Sequence, residues 1–91
     1  MSQAKKTVLV RDEASGLRME IQELAPNSVF GKHQHSDFEW VYILEGELQD
    51  EFGTYPAGTF KLNPKDSIHQ SRTTIGCKLL LVTRAEHIPV E

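Results

Sequence analysis

A single cysteine, Cys77, in a chain of 91 residues excludes an internal disulfide and any paired-cysteine zinc motif, and it suits a reducing cytoplasm. Long hydrophobic runs are missing too. The longest apolar stretch near the start, Val8-Leu9-Val10, is far short of a signal-peptide core or a membrane span. The chain is therefore expected to be soluble and unexported, with no membrane partner. Basic clusters are absent: nothing exceeds Lys5-Lys6, and 10 Lys and Arg against 13 Asp and Glu leave a net charge of -3. Nucleic acid is not an expected partner on that ground. No internal repeat, low-complexity tract or helical period is visible. A chain this short forms one domain, residues 1–91 with a core over about 5–85, and buries only about 60% of its unfolded surface. Dimerisation or a bound metal is expected to add stability.

What is present is period-two alternation, punctuated every eight to twelve residues by Gly, Pro, Asn or Asp, which predicts an all-β sandwich or barrel. Leu17, Met19 and Ile21 alternate with Arg18, Glu20 and Gln22, giving a half-buried strand that ends at the turn Ala25-Pro26-Asn27-Ser28. Residues 29–35 resume an extended segment. Trp40-Val41-Tyr42-Ile43-Leu44 is apolar on both faces, as in a central strand, with Glu45-Gly46-Glu47 read as a tight turn. Residues 48–52, 59–62 and 77–83 supply further strands, and residues 1–4 and 86–91 are expected to fray, Pro89 opposing an interior strand. On the last strand Lys78, Leu80 and Val82 share one face, leaving Cys77, Leu79 and Leu81 on the other. Cys77 is read as a buried small hydrophobe, with redox sensing a minor hypothesis. Trp40, Tyr42 and Phe60 are read as sheet core or dimer interface.

The chemistry concentrates in His33-Gln34-His35, followed by Glu39 and Gly46. Residues two apart on a strand share a face ~7 Å apart, so two imidazoles can converge on one ion, and Glu39 keeps the same parity. Chance spacing is a poor explanation. Of the remaining histidines, His69 follows the Pro64-Lys65-Asp66-Ser67 turn, whereas His87 lies beside the terminus, which makes His69 the better further ligand. The weighed alternatives are paired surface histidines with Glu39 as a solvated acid, and His69 as an ordinary polar residue beside a loop.

Residues 33–46 match the first cupin motif, H-x-H-x3-E-x6-G, at each of those positions, with Asn27 where a leading Gly is usual. The second motif, G-x5-P-x-G-x2-H-x3-N, aligns with Gly58, Pro64 and His69, with Asp66 replacing its second Gly and Thr73 its Asn. Together with Asp50-Glu51, Tyr55 and Gly76-Cys77, residues 17–83 resemble the cupin domain of ChrR-type anti-sigma factors. The resemblance implies a single double-stranded β-helix, or jelly-roll barrel, with His33, His35, Glu39 and His69 as four ligands of one divalent metal, zinc by family likeness. The amino-terminal anti-sigma domain of those proteins, with its own zinc site, has no counterpart in these residues, so direct sigma-factor inhibition is not carried over.

Imidazoles with one carboxylate suit zinc, iron, manganese, nickel or cobalt alike. Function therefore divides four ways. The first reading is a small ChrR-like metal-binding cupin with a regulatory or small-ligand-sensing role. The alternative is a non-haem metal-dependent dioxygenase acting on a small diketone, enol or phenolic substrate in the barrel. A third, structural role for the ion predicts no ligand-sized cavity beside it. A metal-free cupin whose histidines bind substrate is a further option. Homodimerisation is expected from small size and from strands apolar on both faces.

Overall fold

The computed structural model describes residues 4–84 and the backbone of 87–89. Its strands are β1 (Ala4–Arg11), β2 (Arg18–Leu24), β3 (Ser28–Val29), β4 (His33–His35), β5 (Glu39–Asp50), β6 (Gly53–Pro56), β7 (Phe60–Asn63), β8 (Ile68–His69), β9 (Arg72–Thr73), β10 (Cys77–Thr83) and β11 (His87–Pro89). No helix occurs among the described residues. One antiparallel sheet runs β1-β2-β10-β5-β9-β3, with β6 and β7 also on β5, and a smaller one runs β11-β4-β8. Together they curl into the expected all-β jelly-roll architecture.

β5 holds the two halves together. Its first half pairs with β10 and β7, its second with β6 and β9. The chain passes between them at a bulge, where Lys78 opposes Glu45 but Leu79 already opposes Ile43. Gly46 sits there at φ 75°, and a Cβ on it would lie 2.0 Å from the Gly76 carbonyl oxygen. The predicted Glu45-Gly46-Glu47 turn is thus a bend inside one continuous strand, because a bulge with glycine re-aims a strand without ending it.

The core comprises Leu24, Val41, Ile43, Leu48, Cys77, Leu79 and Leu81, with Ala4, Phe30 and Tyr55 packed against it. β10 faces inward as the alternation indicates. β2 does not: Glu20 is 4% exposed and faces inward, while Met19 and Ile21 lie half-buried on the outer face. The buried carboxylate accepts a hydrogen bond from Gln22 Nε2 at 2.7 Å, with Arg18 Nε 3.8 Å away, which offsets its desolvation. Trp40, Tyr42 and Phe60 are likewise outside the core, on the same outer face. Two strands lie outside the sequence expectations. β1 forms the sheet edge over residues 4–11, a segment for which the sequence reading assigns no element, and 87–89, expected to fray, forms the edge of the smaller sheet, where Pro89 is tolerated.

Candidate metal centre

β4 and β8 are antiparallel neighbours, and their register sets His33 directly opposite His69. His35 shares the face of His33. The three imidazole rings stand 4.7 to 4.9 Å apart in mutual edge-on contact, and their ligating nitrogens lie within 4.8 Å of one another. His35 is fully buried and His69 nearly so. Neighbouring loops and the end of β5 supply acceptors that fix each ring. His33 Nδ1 donates to the Gly31 carbonyl at 2.9 Å, and His69 Nδ1 donates to Asp50 Oδ2 at 3.3 Å. His35 Nδ1 donates to Ser67 Oγ at 3.2 Å, whose own hydrogen is given to the Pro64 carbonyl.

A carbonyl or a carboxylate only accepts, so these bonds place the proton on Nδ1 and turn the Nε2 lone pair inward. His33 Nε2 and His69 Nε2 consequently face each other at 3.2 Å. Two lone pairs at that distance repel unless a cation stands against them, and nitrogens bound to one ion at about 2.1 Å are spaced by roughly this amount. The donor set fits a divalent metal. Burial, then the nearby His35, His33 and Lys61, push the His69 pKa down to about 4 against the Asp50 hydrogen bond, so the ring is neutral near pH 7, as a ligand must be.

Glu39, the first residue of β5, is buried at the rim of this cluster, its Oε1 3.3 Å from His35 Nε2. The same oxygen accepts a hydrogen bond from Asn63 Nδ2 at 3.0 Å. The three histidines form the group able to hold an ion among the described residues, and Glu39 borders them. The side chain of His87 lies outside the described residues, although its backbone pairs with His35.

Two contributors escaped the sequence reading. Asn63 reads as part of a loop, yet it ends β7 and orients Glu39. Asp50 enters only as part of the family resemblance, yet it is buried and ties five donors together: the amides of Phe52 and Gly53, the Tyr55 hydroxyl, Lys61 Nζ and His69 Nδ1. Burial raises its carboxyl, but the Phe52 amide, Lys61 and Tyr55 outweigh that and hold the pKa below the usual range.

A cavity of about 490 Å³ opens beside the cluster, lined by His33, His69 and Glu39 at one end and by Leu24, Leu79 and Leu81 along its wall. That is ligand-sized. The cavity counts against a purely structural ion. Cys77 packs in the core with its thiol pushed up to about 11 by burial, which leaves it protonated and inert and removes support from redox sensing.

Solved structures with the same fold include an acetylacetone dioxygenase from Acinetobacter johnsonii (TM-score 0.81, 13% identity, 89% of this chain and 60% of that one). ChrR from Rhodobacter sphaeroides, solved in complex with SigE, matches at TM-score 0.77 and 16% identity over 91% of this chain and 49% of that one. A cupin-like protein of unknown function from Ralstonia eutropha JMP134 matches at TM-score 0.81 and 21% identity over 87% of this chain and 53% of that one. The chain thus spans about half of these proteins' lengths, and at such identities they establish the fold alone. No curated protein matches the sequence. The ChrR Cupin-like domain family, by contrast, matches residues 3–88, and with three histidines gathered at the head of a jelly-roll cavity this chain belongs to that family.

Proposed function

We propose that this protein is a ChrR-like cupin that holds one divalent ion through His33, His35, His69 and Glu39 and senses a small ligand in the adjoining cavity. The supporting observation is the common orientation of the three rings, each Nδ1 committed to an oxygen and each Nε2 turned to one point. Likeness to the ChrR-type cupins favours zinc over the other ions that this donor set suits, and the ion would supply Lewis acidity toward an oxygen-bearing ligand. Asn63 holds Glu39 in reach, and Asp50 holds His69. The proposal includes a single domain, a reducing cytoplasm as the compartment, a second copy of the chain as partner, and neither nucleic acid nor membrane.

The test is elemental analysis of protein purified without chelator or nickel resin, on the wild type and on single alanine variants. One equivalent of metal is expected in the wild type and in His87→Ala, with loss of most of it in His33→Ala, His35→Ala and His69→Ala. Full metal content in any of the latter three removes that residue from the site. Glu39→Gln should weaken retention, and unchanged affinity would make Glu39 a neighbour of the ion and no ligand.

The second reading, a metal-dependent dioxygenase for a small diketone, enol or phenol, is favoured by the cavity, which joins the cluster to an apolar wall. The named activity of the Acinetobacter johnsonii relative supports it at the level of analogy. Oxygen uptake by iron-loaded protein on acetylacetone decides between them. Turnover selects the enzyme; ligand binding without oxygen uptake selects the sensor.

A further inference from the structure

The β2-β10-β5-β7 layer turns one face to the core and leaves the other apolar. Its register aligns the outward side chains in rows across the strands. Met19, Val82, Trp40 and Leu62 form one row, and Ile21, Leu80, Tyr42 and Phe60 the next. All eight are apolar or aromatic, where an antiparallel sheet facing water alternates to polar residues. Trp40 is 39%, Tyr42 38% and Phe60 65% exposed, with the Phe38 ring tilted beside Trp40 at 6.3 Å between centroids. A third row alternates in charge: Lys5, Glu23, Lys78 and Glu45 oppose one another on β1, β2, β10 and β5.

We propose that this outer face is the contact between two copies of the chain, packed as an aligned β-sandwich about a two-fold axis running along the strands between β10 and β5. That rotation sets β10 of one copy over β5 of the other, and β2 over β7. Val82 then meets Trp40, Leu80 meets Tyr42, Met19 meets Leu62, Ile21 meets Phe60, and Lys78 meets Glu45. Alternation is what makes the charged row complementary to its own image, since a row of one sign would repel itself. The apolar rows expose on the order of 500 Å² per copy, large for a monomer's patch, and the charged flank brings the contact toward the roughly 800 Å² per partner of a stable interface. Sheets packed this way interdigitate at ~10 Å, as in a sandwich core. The metal cluster lies on the opposite, concave side of the sheet, so this inference goes beyond the metal reading and stands or falls separately from it.

Sedimentation velocity of the full chain at micromolar concentration should give the mass of a dimer. The pair Trp40→Glu and Phe60→Glu, both on the outer face, should give a monomer with unchanged metal content and strand signal. Lys78→Glu alone should weaken the dimer by roughly tenfold. Adding Glu45→Lys to it should restore the dimer, because that register exchanges the two partners in both copies. A monomeric wild type overturns the proposal, even one that captures another protein. So does a dimer that the Trp40 and Phe60 changes leave intact, or a charge exchange that fails to restore association.

Discussion

Asp50 acts on the histidine cluster through His69, from a position behind the ring. Its Oδ2 lies 3.1 Å from Lys61 Nζ and 3.3 Å from His69 Nδ1, so removing its charge loosens the ring that it aims. Asp50→Asn is expected to lower metal affinity by about 10- to 100-fold, read by competition with a chromophoric chelator. Lys61→Met removes one donor but leaves the His69 bond, so it should lower stability while affinity stays near that of the wild type. Equal losses of affinity in both would reduce Asp50 to a structural role. The spacing of His33, His35 and Glu39 is legible because one short segment carries them, and His69 because a turn precedes it. Asn63 is illegible, since its bond to Glu39 spans 24 residues and appears only when β5 and β7 pair.

Among the elements, β5 decides the shape of the barrel, and its conformation at Gly46 is what allows one strand to serve two sheets. Gly46→Ala forces a left-handed backbone on an L residue and drives its Cβ against the Gly76 carbonyl. The loss expected in urea unfolding is at least about 2 kcal/mol. A loss below about 0.5 kcal/mol would mean that the bulge relaxes freely. Two other special conformations explain the departures from the cupin motifs. Asn27 has φ 62° and Asp66 φ 69°, and they occupy the positions where the motifs carry glycine. Asn and Asp tolerate that region best among the other residues, so the turns persist with different side chains. Thr73, in place of the motif's Asn, is buried and donates to the Glu47 carbonyl, while accepting from the Gly76 amide. Alternation located β2, β7 and β10 well. It missed β1, and it could not resolve β8 and β9, whose two residues carry no period.

For the molecule as a whole, the cluster links stability to pH. The His69 pKa is about 4 in the fold against 6.5 in a model peptide, so between those values the unfolded chain holds a proton that the native chain lacks. Stability of the metal-free protein should therefore be full above pH 6.5, fall as the pH drops toward 4, and level off below. Thermal unfolding after chelation checks this, and His69→Gln should flatten the slope. A metal-free wild type equally stable at pH 7 and pH 5 would refute the linkage. A metal bound as proposed should add stability at neutral pH, because a ligand that binds the native chain better than the unfolded one stabilises it. The proposed association through the outer face should add a second, concentration-dependent contribution of the same kind.

The sequence by itself determined the all-β class, the family resemblance and three histidines of the cluster, because these rest on local periodicity and on spacings within or beside single strands. Only the tertiary structure decided which face of each strand turns inward. Alternation in β2 marks Met19 and Ile21 as apolar and Glu20 as polar, yet the partners in β10 and β5 continue the apolar face outward and bury Glu20. Period two distinguishes two faces without naming the core, and that choice belongs to the neighbours that pairing brings together. The same holds for the cluster's surroundings. Asp50, Asn63 and the cavity come together only when strands distant in sequence close the barrel.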